Sequence, residues 1–180
     1  MYFSGVENQY YIILCDGMGT GPGAVQEGNQ AGNLLKQMLV CGFPAEEALE
    51  SLNSLCALRD RAGAVTVDLA QVSLDTGKVT IYKWGSAPSY LLAGDTMEKL
   101  GTSSAPPGMS ATERCQVRCA LTLRKGQTLL LVSDGLEEAD ILEDGKKNIS
   151  PAVLAAELLK NRSGQDDATI VTVQLISSQT

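Results

Sequence analysis

The stretch Tyr10-Tyr11-Ile12-Ile13-Leu14-Cys15-Asp16-Gly17-Met18-Gly19-Thr20-Gly21 decides how the chain is read. From Gln9 to Cys15 the run is aromatic or aliphatic, the pattern of a strand buried on both faces. It ends in a carboxylate, Asp16, and passes through a glycine-rich turn into a helix. A strand end holds a charge rigidly, and glycines let a ligand or metal approach the backbone. The device recurs. Leu129-Leu130-Leu131-Val132-Ser133-Asp134-Gly135 is a second apolar strand running into Asp-Gly, and Gly164-Gln165-Asp166-Asp167-Ala168-Thr169-Ile170-Val171 sets two carboxylates before a strand.

The chain has 180 residues, 44% of them apolar, enough for one domain with a core of its own; we expect a single domain over 1–180. The formal charge of −7 argues against nonspecific nucleic-acid binding. No apolar run approaches a membrane span, and the N-terminus lacks the basic region of a signal peptide. Five cysteines, an odd number without a CxxC pair, read as free, mostly buried thiols of a reducing cytoplasm. The chain contains no histidine. That excludes Ser-His-Asp and Cys-His catalysis, histidine-ligated zinc and any imidazole acid or base. A hydrolase built from this sequence relies on carboxylates, metal ions and water.

Met1 to Asn8 is short and polar, and a domain seldom begins so close to a central strand, so an upstream part is expected to be missing. Helices are predicted over Ala24–Leu39, with Ala31, Leu34, Leu35, Met38 and Leu39 on one stripe, and from Pro44 to about Leu58. The period then becomes strand-like: Ala64–Leu74, Val79–Trp84 after the turn Asp75-Thr76-Gly77-Lys78, Ser89–Ala93, Cys115–Leu123 and Gln127–Ser133. Thr102–Met109 and Asp140–Asn148 read as loops. Ser150 caps a helix that Pro151 opens, and Ala168–Ile176 closes the chain as a strand. Strands joined by hairpins, with three helices inserted, favour two antiparallel sheets flanked by helices over a doubly wound parallel sheet.

Asp16, Asp134, Asp166 and Asp167 are the candidate site. A lone carboxylate at the edge of a core is costly unless paired or bound to a cation, and hard divalent ions prefer such oxygen ligands. Asp-Gly after a strand is also an ordinary turn signal. Gly19-Thr20-Gly21-Pro22-Gly23-Ala24 satisfies a loose dinucleotide-binding pattern. Asp16 would repel a pyrophosphate there, and repeated βαβ units are lacking.

Asp16-Gly17-Met18-Gly19, Ser133-Asp134-Gly135 and Asp166-Asp167-Ala168-Thr169-Ile170-Val171, in this order, resemble the metal-dependent protein phosphatase family of the protein phosphatase 2C type, in its bacterial sporulation branch. Thr66-Val67-Asp68-Leu69, Gly85-Ser86-Ala87-Pro88-Ser89-Tyr90, the Pro107-Gly108 loop and Ser163-Gly164-Gln165 resemble it too, so the match covers nearly the whole chain. The resemblance implies an α+β fold, an antiparallel α-β-β-α sandwich, here N-terminally truncated. It implies two Mn²⁺ or Mg²⁺ ions and hydrolysis of phosphoserine or phosphothreonine by metal-activated water. Carried over, Asp16 bridges both ions, the Gly17 carbonyl binds one, and Asp134 and Asp166 complete the other; Asp167 is the neighbour of the matched ligand.

Two departures stand out. The family's upstream strand with a Gly-Asp motif is absent from this chain, and Met18 occupies the place where many relatives carry a histidine as leaving-group acid. The resemblance further implies a phosphorylated anti-anti-sigma factor as substrate, a cytoplasmic domain whose parent is membrane-attached through segments outside this chain, and a switch role for the helices between Ala24 and Leu58. Their apolar stripes are equally those of core-packing helices. The competing reading is a phosphatase-like regulatory or binding module without catalysis.

Overall fold

A computed structural model describes residues 1–58, 64–101, 104–109, 117–136, 139, 141, 150–163 and 167–176. In chain order the elements are β1 (Tyr2–Val6), β2 (Gln9–Gly17), α1 (Pro22–Val40), α2 (Ala45–Leu58), β3 (Val65–Ser73), β4 (Lys78–Trp84), β5 (Ser89–Ala93), β6 (Thr96–Leu100), β7 (Val117–Thr122), β8 (Gln127–Val132), α3 (Pro151–Asn161) and β9 (Ile170–Val173). They fall into two compact units, Met1–Ser86 with Thr102–Leu121, and Ala87–Gly101 with Thr122–Thr180.

In the first unit the sheet order is β1-β2-β3-β4-β7, and β1, β2, β3 and β4 pair antiparallel in succession. Alternation along the strands sorts the two faces. Tyr11 and Ile13 of β2, Val65, Val67 and Leu69 of β3, and Tyr82 and Trp84 of β4 pack against Ala31, Leu35 and Leu39 of α1 and Ala48, Leu49 and Leu52 of α2. Each large aliphatic buried here contributes about 1.5–3 kcal/mol. The opposite face carries Ile12, Leu14, Ala70, Val72, Val79 and Ile81, all buried as well. A strand covered on both sides is what the unbroken apolar run in β2 predicts.

The helix pair turns on Gly42, whose φ of 87° lets its N–H and that of Phe43 reach back to the Leu39 and Met38 carbonyls. Strand β1 lies on the outer edge of β2, over residues read from sequence only as a short polar lead. Its pairing runs through a tight turn with Glu7 at φ 52°, and this turn is tied to the next hairpin. Leu74 N–H donates to the Asn8 carbonyl at 2.8 Å, and Asn8 Nδ2 to Asp75 Oδ2 at 2.7 Å. Tertiary contacts of this kind carry no local sequence signature.

In the second unit the order is β6-β5-β8-β9, again antiparallel. Strand β6, which the sequence reading left unassigned, pairs with β5 across the Gly94-Asp95 turn. Helix α3 begins as predicted, Ser150 Oγ accepting from the Val153 N–H and Pro151 opening the first turn. It buries Leu154 and Leu158 against Tyr90, Leu92, Leu130 and Val132. The loop predicted over Asp140–Asn148 lies outside the described residues except for Ile141, which is buried in this same cluster. Antiparallel sheets with helices packed on them are the α+β class that the sequence led us to expect.

Candidate metal centre

Asp16 is the penultimate residue of β2, half-buried. It pairs in register with Thr66 and lies on the face away from the helices, as do Ile12 and Leu14. Gly17 points the other way, and α1 comes so close that a Cβ there would sit 1.9 Å from the Ala24 carbonyl oxygen. Only glycine lets the helix start this near the strand end. Gly19 and Gly21 turn the chain between strand and helix at φ 92° and 87°. The Asp-Gly of this corner is therefore more than a turn signal: the glycine is demanded by packing, and that packing fixes the backbone that carries the carboxylate.

Beside Asp16, the Cys15 thiol is pushed up to about 12, chiefly by burial and, against the lowering effect of the chain's amino terminus, by the charges of Asp68 and Asp16. A thiol raised in this way is protonated at neutral pH and poorly suited to act as a nucleophile. Of the cysteines expected to be buried, Cys56 is; Cys41 is exposed at the end of α1, where the helix stops before Gly42. Cys115 lies outside the described residues.

The second corner is built the same way. Asp134 follows β8 and is exposed. A Cβ on Gly135 would lie 2.1 Å from the Asp167 carbonyl oxygen and 3.2 Å from the Ala168 Cα, so two segments far apart in sequence meet backbone to backbone. Ser133 fastens them: its N–H donates to the Thr169 carbonyl at 3.0 Å, and its Oγ accepts from the Thr169 N–H at 3.0 Å. Asp134 and Asp167 are thus neighbours within one unit. Asp166 itself lies outside the described residues, and Asp167 is exposed.

Among the described residues no three His, Cys, Asp or Glu side chains group as a metal site. Asp16 and Gly17 belong to the first unit, Asp134 and Asp167 to the second. The donors available at both corners are carboxylate and carbonyl oxygens, without imidazole or thiolate. That set fits a hard divalent cation such as Mg²⁺ or Mn²⁺ and disfavours zinc or copper.

Sequence reasoning quoted Asp68 only within the Thr66-Val67-Asp68-Leu69 segment, gave it no role, and did not single out Lys83. On β3 and β4 they face each other in register, both buried, with Lys83 Nζ donating to Asp68 Oδ2 at 2.5 Å. The local signal was weak: Asp68 falls at a polar place in the alternation Val65-Thr66-Val67-Asp68-Leu69, and Lys83 stands singly between Tyr82 and Trp84.

The sequence profile of the family described as stage II sporulation protein E (SpoIIE) matches residues 7–176. The chain is 30% identical to stage II sporulation protein E of Bacillus subtilis (strain 168) over 93% of its own length, and it spans 22% of that protein. In structure it is similar to the PP2C phosphatase domain with a fragment of the regulatory domain of Bacillus subtilis SpoIIE, at 29% identity and a TM-score of 0.81, covering 97% of this chain and 58% of that one. The fold is also that of RsbX, crystallised in complex with magnesium: 17% identity, TM-score 0.73, covering 94% of this chain and 82% of that one.

Proposed function

This chain belongs to the stage II sporulation protein E family of PP2C-like serine/threonine phosphatases, and on that premise we propose that it hydrolyses phosphoserine or phosphothreonine on a regulatory protein with the help of two Mn²⁺ or Mg²⁺ ions. Asp16, the Gly17 carbonyl, Asp134 and Asp166 would hold the ions, with Asp167 beside them. When bound, such ions neutralise the phosphoryl oxygens and make water nucleophilic at neutral pH. The chain's own part is to hold carboxylates in place at rigid corners. No protein nucleophile is called for, in keeping with a sequence that lacks histidine and a Cys15 thiol that stays protonated. Met18, exposed at the head of the turn, cannot supply a proton to a leaving group.

The observation that carries this reading is the packing of Gly135 on the Asp167 carbonyl, which brings two acidic segments of the matched motifs to one corner. A mere turn at Asp134-Gly135 would not need that approach. The substrate follows from the family alone: a phosphorylated anti-anti-sigma factor, in a cytoplasmic setting. No helix among the described residues is long and apolar enough to cross a membrane. The test is release of phosphate from a phosphoserine peptide and from an aryl phosphate by this chain, with and without Mn²⁺. Metal-stimulated turnover that Asp16→Ala or Asp134→Ala abolishes supports the proposal; wild-type turnover in either variant refutes it. Binding of Mn²⁺ in calorimetry without turnover would favour the regulatory-module reading.

A further inference from the structure

Alternation along β2 puts Ile12, Leu14 and Asp16 on one face of the sheet, away from the helices. The next residue of that row is Met18. It lies one step past the end of β2, yet it keeps the strand's register: Gly17 pairs with Val65, and the Met18 N–H donates to the Ala64 carbonyl at 2.9 Å. Its side chain therefore falls on the same face as Asp16, about 7 Å further along by the rise of a strand. Burial falls away along the row. Ile12 and Leu14 are buried, Asp16 is half-buried, and Met18 is 52% exposed.

A single exposed apolar side chain is ordinary on a protein surface. Met18 differs in where it stands. Its backbone is pinned to Ala64, and the glycines after it leave the turn open: among the described residues nothing lies within 4 Å of a Cβ built on Gly19 or Gly21. That leaves room for an extended peptide beside the carboxylate. A methionine suits such a place, because its unbranched thioether side chain adapts to apolar partners of different shapes. The proposed reaction brings the phosphoryl group to the Asp16 corner. In an extended peptide the next residue stands only about 3.8 Å further on between Cα atoms, so its side chain is within reach of Met18.

We propose that Met18 is a specificity-determining residue: its side chain receives an apolar side chain standing immediately beside the phosphorylated serine or threonine of the substrate. The inference rests on the phosphatase reading of the Asp16 corner and adds to it a class of substrate, a phosphopeptide segment with an apolar flank.

The test uses two peptides, with leucine or with asparagine on both sides of a phosphoserine, residues of similar volume and opposite polarity. Affinity is read by fluorescence anisotropy in the presence of Mn²⁺, with the phosphoserine replaced by its non-hydrolysable phosphonate; kcat/KM is read on the phosphorylated forms. The wild type should favour the leucine peptide by about tenfold in both, the discrimination that one apolar contact supplies. Met18→Gln keeps the length of the side chain and removes its apolar character, and should bring that ratio to about one. Met18→Leu should keep the preference to within about threefold of wild type, since the exchange conserves volume and polarity. Each value is a ratio measured on one preparation, so a change in folding or metal loading cancels out of it. A wild type without preference overturns the inference. So does a preference that Met18→Gln leaves intact, or one that Met18→Leu abolishes as fully as Met18→Gln does. A wild type that hydrolyses an aryl phosphate with Mn²⁺ but binds neither peptide overturns it too. The expected preference in binding without any hydrolysis would uphold the contact and sink the catalytic reading. If the wild type neither binds a peptide nor hydrolyses the aryl phosphate, the phosphatase reading falls, and this inference with it.

Discussion

Replacing Gly135 by alanine probes the corner where Asp134 meets Asp167. The backbone of Gly135 is not in the left-handed region, so the cost is steric alone. The added methyl would stand 2.1 Å from the Asp167 carbonyl oxygen and 2.8 Å from its carbon. Both are backbone atoms, so no side chain can rotate aside. Relief requires the two segments to part by roughly 1 Å, given ordinary non-bonded separations. Overpacking of this kind costs about 1–3 kcal/mol, and loosening the paired Ser133–Thr169 hydrogen bonds adds about 1 kcal/mol or more. The expected loss is about 2–4 kcal/mol, or roughly 4–16 °C in melting temperature for a chain of this size. Where the protein still folds, separating Asp134 from Asp167 should also weaken Mn²⁺ binding. Thermal melts with and without Mn²⁺ measure both effects. A Gly135→Ala protein that melts within a degree of wild type and binds Mn²⁺ equally would show that the close approach does not hold the corner, and the reasoning from it would fail.

Three further outcomes are expected. Mn²⁺ at about a hundred times its dissociation constant should stabilise the wild type by about 2.7 kcal/mol, and Asp134→Ala should lose most of that shift in a thermal melt. The Tyr82 hydroxyl donates to Glu46 Oε1 at 2.6 Å, so Tyr82→Phe should cost about 1 kcal/mol in urea unfolding; an unchanged midpoint would mean the bond is worth no more than its exchange with water. Tyr11 ionises above its usual 10.0, because of burial first and the Glu46 charge second. As an acid whose folded value is raised, it contributes stability that is complete below pH 10 and lost as pH climbs past it. Ultraviolet titration should show this late phenolate, and Glu46→Gln should move it part of the way back; an ordinary value in the wild type would contradict the burial.

The candidate centre was legible wherever a local rule was enough. Asp16-Gly17 and Asp134-Gly135 stand out because a long apolar run ends in a charge, and Ser150-Pro151 because helix caps are local. The pairing of Asp68 with Lys83 was not legible because each residue alone resembles an ordinary exposed position of a strand. Nor was β6, whose five residues alternate too weakly to announce themselves and are held by pairing to β5.

By itself, the sequence determined the alternation of strands and helices, the oxygen-only chemistry of the candidate donors and the exclusion of histidine catalysis, since composition and local periodicity suffice for those. Only the tertiary structure decided that Gly17 and Gly135 are fixed by backbone contacts with Ala24 and Asp167, and that Lys83 is answered by Asp68. Such facts depend on which distant segments come into contact, and a one-dimensional pattern carries no distance between residues 135 and 167, or between 68 and 83.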